Sequence, residues 1–195
     1  MLIGGFQKTS LIDYPGHISS VVFTRGCNFR CPYCYNPELV YPEQYVELLD
    51  KDKVLSYLAN YKKDAVVITG GEPTIQEDIL PFAKLLKDMG YLVKLDTNGS
   101  RPDVLQLLIK EQVLDYIALD IKAPKGKYTE TTQICYNAYT LVMQSKHLIL
   151  DSGLPYEFRT VFDQGLLIEE DVEEIRKSLP KNANYVVKGI FQRFV

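Results

Sequence analysis

Metal-ligating residues are scarce in this sequence. Its 195 residues hold four cysteines and two histidines, and Cys135, His17 and His147 are scattered away from the other three cysteines. A structural zinc site wants four ligands, and no second short cysteine pair is present to complete one. A closed ferredoxin-type cluster lacks its fourth thiolate for the same reason. Long apolar runs are also missing: none approaches the roughly twenty residues that span a bilayer. The start, Met1-Leu2-Ile3-Gly4-Gly5-Phe6, has no basic segment followed by a long apolar one, so no secretory signal is expected and the cysteines are read as belonging to a reducing, cytoplasmic setting. A formal net charge of −3 with scattered lysines offers no basic stripe, so neither nucleic acid nor membrane is an expected partner. The length suits one core, so residues 1–195 are expected to form a single domain.

What is present is concentrated. Three of the cysteines follow the spacing Cys27-x3-Cys31-x2-Cys34 directly after a β-branched run. Three thiolates cannot close a four-iron cluster, so one iron would keep an open position for an exogenous ligand. On the residues alone, a zinc site completed from elsewhere and a set of unligated core cysteines stay open beside that reading.

Short apolar runs alternate with stretches of helical period. Ser19–Thr24, Ala65–Thr69, Leu92–Asp96, Tyr116–Asp120, Phe158–Phe162 and Tyr185–Val187 read as buried strands. Helical faces lie between them at Val54/Leu55/Leu58, Ile79/Phe82/Ala83/Leu86, Val104/Leu105/Leu108, Ala138/Leu141/Val142/Ser145 and Val172/Ile175/Leu179. Strands that each feed a helix predict an α/β fold with parallel strands, a partial TIM-type (βα)6 barrel over 18–195 preceded by a lead-in segment, 1–17. Asn28–Asp50 and Ile121–Cys135 are the longest stretches without a pattern.

Ligands of such folds gather at the carboxyl ends of the strands, and each predicted strand carries chemistry there. The first runs into the cysteine loop. The second ends at Thr69-Gly70-Gly71-Glu72-Pro73, where paired glycines let backbone approach a ligand and a carboxylate can receive an ammonium group. The third and fourth end at Asp96-Thr97-Asn98-Gly99 and Asp120-Ile121-Lys122. Two rim carboxylates can bind a cation or ribose hydroxyls, or orient Lys122. Alternatively, Asp96 caps the Asn98-Gly99 turn and Asp120 merely pairs with Lys122. The fifth strand contributes Arg159, a binding residue or a surface arginine.

The run Gly26-Cys27-Asn28-Phe29-Arg30-Cys31-Pro32-Tyr33-Cys34-Tyr35 closely resembles the cluster loop of radical S-adenosylmethionine (SAM) enzymes, including the aromatic Tyr33 before the last cysteine. The resemblance implies a radical SAM fold, a [4Fe–4S] cluster on Cys27, Cys31 and Cys34, and SAM at the fourth iron. Gly70-Gly71-Glu72 matches the motif that binds the SAM amino group in that superfamily. Asp96, Thr97, Asp120 and Lys122 match segments that serve the SAM site in glycyl-radical-enzyme activases and, in one of them, a monovalent cation site. Arg159 matches an arginine near the SAM carboxylate. Ser10-Leu11-Ile12-Asp13-Tyr14-Pro15-Gly16 is similar to the lead-in of anaerobic ribonucleoside-triphosphate reductase activating proteins; physically, Asp13-Tyr14-Pro15-Gly16 is only a turn before the first expected strand.

The resemblance implies reductive cleavage of SAM to a 5′-deoxyadenosyl radical that makes a glycyl radical on a partner, most specifically anaerobic ribonucleotide reductase, with flavodoxin or ferredoxin as reductant. Two departures bear on it. Tyr35 stands where many activases have histidine, and the absence of cysteine from Tyr35 to Ile134 excludes the extra clusters some activases carry. Cys135 is expected to be structural or incidental. The rival readings are a radical SAM enzyme acting on a small molecule, in deazapurine or cofactor biosynthesis, and a non-catalytic iron–sulfur electron-transfer module.

Overall fold

The computed structural model describes residues 1–134 and 137–189. Its strands are β1 (Ile3–Ser10), β2 (Ser19–Thr24), β3 (Ala65–Gly70), β4 (Leu92–Thr97), β5 (Tyr116–Asp120), β6 (Tyr156–Phe162) and β7 (Tyr185–Gly189). Its helices are α1 (Lys51–Asn60), α2 (Ile79–Asp88), α3 (Pro102–Lys110), α4 (Tyr128–Thr132), α5 (Ala138–Ser152) and α6 (Glu169–Lys177). The strands form one sheet in sequence order, with β1 antiparallel to β2 and every later pair parallel. Each βα unit thus advances by one strand, the succession of crossovers that builds a barrel wall. The parallel part, β2 to β7, is the six-strand partial barrel predicted from the sequence. Among the described residues no helix is long and apolar enough to cross a membrane.

The period of two along each strand divides the core into unequal parts. Val22, Val66, Ile68, Val93, Leu95, Ile117, Leu119 and Phe158 turn outward, where α1, α2, α3, α5 and α6 cover them with Leu58, Phe82, Leu86, Leu105, Leu108, Val142, Ile149 and Ile175. The inner face holds a small apolar cluster, Tyr14, Val21, Ala65, Val67 and Tyr116, at its amino-terminal end. Above that cluster the inner face turns polar, which leaves the carboxyl ends of the strands for binding.

The structure corrects the sequence reading at two places. The lead-in, where no strand is expected, carries one: Ile3–Ser10 forms β1 and pairs with β2 from Ile3↔Thr24 to Ser10↔Ser19, and the expected turn follows it, closed by His17 N–H on Tyr14 O. As an edge strand with Gly4 and Gly5 and three exposed polar residues, it has no apolar run to betray it. The stretch Ile121–Cys135, expected to be irregular, contains α4, five residues long and too short to show a helical period. Strand bounds also move: β6 begins at Tyr156, and β3, β4 and β7 run on to Gly70, Thr97 and Gly189, while α5 continues to Ser152, where Gly153 ends it in the left-handed region (φ 71°). Cys135 and residues 190–195 lie outside the described residues.

The β1–β2 connection closes the bottom of the barrel. Tyr14, 5% exposed, places its ring 5.6 Å from that of Tyr116 and 5.0 Å from His17. Tyr14→Ala is expected to lower unfolding free energy by about 3 kcal/mol in urea titrations; a loss below about 1 kcal/mol, the scale of a surface change, would show that the turn is not a plug.

Candidate functional site

The end of β2 and the end of β3 are fastened to each other before either reaches the site. Gly71 N–H donates to Thr24 O (2.8 Å) and Glu72 N–H to Gly26 O (2.8 Å), while Gly26 N–H reaches Leu39 O (2.7 Å). A Cβ on Gly71 would lie 2.0 Å from Gly26 O, and one on Gly70 (φ 118°) 2.3 Å from Thr24 N. The two glycines are therefore required first by the protein's own backbone, whatever ligand approaches them.

The cysteine loop is anchored from below and behind. Phe29, 2% exposed, sinks into the main core with its ring 6.3 Å from Tyr128 of α4, and Arg30 N–H donates to Thr132 O at the end of that helix (2.9 Å). Cys27 Sγ accepts the Phe29 N–H at 3.3 Å and faces the Asn98 amide Nδ2 at 3.9 Å. Burial, with the Glu72 charge adding to it, pushes the Cys27 thiol up to about 12, and burial also raises Cys31. Both are thus neutral thiols until a cation draws off their protons. Among the described residues no three histidine, cysteine or acidic side chains converge on a point that one metal ion could occupy. The three cysteines line the same cleft.

Glu72 is 1% exposed. Its Oε1 accepts Thr74 N–H (3.0 Å), Thr74 Oγ1–H (2.5 Å) and Thr97 Oγ1–H (2.7 Å), and its Oε2 accepts Asn98 N–H (2.7 Å). Burial outweighs these bonds and raises its carboxyl above the ordinary range. No basic side chain among the described residues pairs with it. The turn after β4 is consequently held by Glu72, and Asp96 does not cap it.

Asp96 and Asp120 are joined through a buried arginine. Arg159 Nη1 meets Asp96 Oδ2 at 2.9 Å and its Nε meets Asp120 Oδ1 at 2.8 Å, while Lys122 Nζ lies 2.9 Å from Asp120 Oδ2. Arg159 is 8% exposed, so it is no surface arginine. Lys94 Nζ faces Asp96 Oδ1 at 3.1 Å and Glu157 Oε1 at 3.4 Å. Burial by itself would raise the Asp120 carboxyl, but Arg159 and Lys122 prevail and hold it below the usual carboxylate range. For Lys122 burial acts downward, and Asp120, the Tyr33 phenol and Cys31 together keep it well above its ordinary value. The Tyr33 hydroxyl is buried beside Cys31 and Lys122, and burial raises it.

Cys27, Cys31, Tyr33, Cys34, Gly70, Gly71, Glu72, Asp96, Thr97, Asp120, Lys122 and Arg159 all line one cleft, to which Phe29, Val40 and Val161 contribute apolar surface. Sequence reasoning missed three of the residues that organise this cleft. Asn98 looked like a turn residue, Glu157 like part of a strand, and Lys94 drew no notice; a lysine at the centre of an apolar strand, two residues before an aspartate, was the available signal.

The sequence profile of the Radical SAM superfamily matches residues 21–179. A protein of Methanocaldococcus jannaschii, provisionally named a glycyl-radical enzyme activating enzyme, is 34% identical over 191 residues, covering 96% of this chain and 79% of that protein. The 7-carboxy-7-deazaguanine synthase of Thermoplasma acidophilum is 32% identical over 117 residues, 60% of this chain and 53% of that enzyme. The solved structure of native anSMEcpe with bound AdoMet superposes with a TM-score of 0.65 at 18% identity, over 84% of this chain and 48% of the other. This chain thus spans about half the length of the last two.

Two outcomes follow from the geometry. Gly71→Ala, which must displace backbone, is expected to cost about 2 kcal/mol or more and to lower iron bound per chain after reconstitution. Gly16→Ala, at φ 79° with open space around it, should cost about 1 kcal/mol and leave iron binding intact; equal losses in the two variants would contradict the packing account. The Asp120 carboxyl titrates lower when folded than its ordinary 3.8, so its stabilisation is full above about pH 4 and is lost as pH falls below that. Asp120→Asn should flatten the acid limb of stability against pH there and cost about 3 kcal/mol at neutral pH; an unchanged acid limb would remove Asp120 from the ion-pair network.

Proposed function

The chain belongs to the radical SAM superfamily, and from that membership we propose that it is a glycyl-radical-enzyme activase whose cleft holds a [4Fe–4S] cluster and SAM side by side. The observation that carries this reading is the joining, in one cleft, of three cysteine thiols, a fully buried glutamate without a cation and an arginine at the rim. Cys27, Cys31 and Cys34 would hold the cluster. Glu72 Oε2 accepts one bond only and has a lone pair left for the SAM ammonium, the positive charge that this carboxylate lacks. Arg159 lies opposite, with a guanidinium edge for the SAM carboxylate. Thr97, Asp120, Lys122 and Tyr33 complete the polar wall, and Phe29, Val40 and Val161 limit water. On this wall Asp96, Asp120 and Glu157 face Lys94, Lys122 and Arg159.

When bound, the cluster supplies the electron that breaks the carbon–sulfur bond of SAM, giving methionine and a 5′-deoxyadenosyl radical, which takes a hydrogen atom from a glycine Cα. The partner would be a glycyl radical enzyme, and the Ser10–Gly16 turn favours anaerobic ribonucleoside-triphosphate reductase; flavodoxin or ferredoxin would be the reductant. The relative provisionally named an activating enzyme supports this branch. The likeness to a 7-carboxy-7-deazaguanine synthase supports a second reading, radical chemistry on a small molecule.

Anaerobic reconstitution with iron and sulfide, reduction by dithionite with SAM, and chromatography for 5′-deoxyadenosine tests the common core of both. Product is expected from the wild type and only background from Cys31→Ser. A fully loaded cluster that yields none would leave an electron-transfer module as the better description. Electron paramagnetic resonance of the mixture with a candidate partner then separates the readings: a glycyl radical doublet supports the activase, and turnover without one points to a small substrate.

A further inference from the structure

Lys94 is a buried ammonium for which the chemistry above has no use. It stands on β4 two residues before Asp96, and since Val93 and Leu95 face the helices, Lys94 and Asp96 share the inner face. It is 2% exposed. It donates a hydrogen bond to the Asp13 carbonyl at 2.7 Å and forms ion pairs with Asp96 Oδ1 at 3.1 Å and Glu157 Oε1 at 3.4 Å. Ala118 pairs in register with both Asp96 and Glu157, and its methyl leaves room for the two carboxylates to approach across β5. Arg159 Nη1 stands between the same two groups, 2.9 Å from Asp96 and 3.5 Å from Glu157. Its Nε donates to Asp120 Oδ1 and its Nη1 to Asp96 Oδ2, and among the described residues no hydrogen bond involves its Nη2.

We propose that Lys94 is a positioning residue: by taking up Asp96 Oδ1 and Glu157 it fixes Arg159 on Asp96 and Asp120 and reserves Nη2 for an anion in the cleft. Without Lys94, three carboxylates would compete for one guanidinium and draw it down toward Glu157. The anchor of the device is the Ser10–Gly16 turn. Ser10 Oγ accepts the Ile12 and Asp13 N–H groups and donates to the Asp13 carboxylate, which fixes the carbonyl that Lys94 binds. A turn with no chemistry of its own thereby acts on the far end of the barrel. Only the identity of the anion, the SAM carboxylate, rests on the function proposed above.

The test compares wild type, Lys94→Met and the Lys94→Met/Glu157→Gln double variant. Crystal structures report Arg159, and equilibrium dialysis of the reconstituted proteins reports SAM and 5′-deoxyadenosine, which lacks the carboxylate. In Lys94→Met the guanidinium should leave Asp96 for Glu157 and SAM should bind about tenfold more weakly, with the nucleoside unaffected. The double variant removes the competing carboxylate and should restore both the position and most of the affinity, a coupling that lost packing cannot produce. Arg159 unmoved in Lys94→Met, or a double variant no better than the single one, overturns the proposal. Should Lys94→Met fail to fold, the charge-balanced double variant decides alone, and displacement of its Arg159 from Asp96 overturns the proposal. If the wild type binds no SAM, the function fails, while the crystallographic comparison still judges Lys94.

Discussion

One buried carboxylate organises the mouth of this barrel. Glu72 collects donors from Thr74 on its own side and from Thr97 and Asn98 at the end of β4, so the adjacent strand ends cannot move independently. Asn98, fixed in this way, turns its amide toward Cys27 Sγ and also donates to Asn28 Oδ1. The position of the first cysteine therefore depends on a glutamate in the next βα unit. Removing a charge from water costs several kcal/mol unless it is compensated, and the described residues offer Glu72 hydrogen bonds but no cation. A cationic ligand would complete that arrangement.

The opposite wall solves the same problem differently. Lys94, Asp96, Asp120, Lys122, Glu157 and Arg159 are three cations and three anions interleaved across β4, β5 and β6, so the wall is neutral as a whole and each desolvated charge has an opposite neighbour. Such a network adds little net stability compared with apolar packing, but it fixes side-chain directions in a cleft where direction matters. It is confined to the upper half of the lumen because Tyr14, Val21, Ala65, Val67 and Tyr116 fill the lower half.

Much of this was legible in the sequence because the outward faces of the parallel strands are apolar. Ser19–Thr24 and Tyr116–Asp120 appear with the bounds read from their residue types, and the cysteine spacing announced its loop. The unread parts share a physical cause. β1 is an edge strand whose exposed half is polar, and α4 is a single turn and a half whose value lies in holding Arg30 and Phe29. Gly70 and Gly71 looked like a ligand cradle, whereas their nearest constraint is the backbone of Thr24 and Gly26. Lys94 and Glu157 act only through partners distant in sequence, and one chain read in order does not display such pairs. The Ser10–Gly16 turn was recognisable only as a likeness, and its contact with Lys94 supplies the physical reason that a turn lacked.

If an uncompensated carboxylate is what the ligand completes, its charge must matter more than its shape. The most direct measurement is the ratio of affinities of the reconstituted protein for SAM and for 5′-deoxyadenosine, taken in the wild type and in Glu72→Gln. The nucleoside lacks the amino acid portion and so corrects for any general disturbance of the cleft. The account predicts that the ratio falls by about tenfold or more in the variant, the scale of a lost charge-assisted hydrogen bond. A ratio that stays the same in both proteins would contradict it.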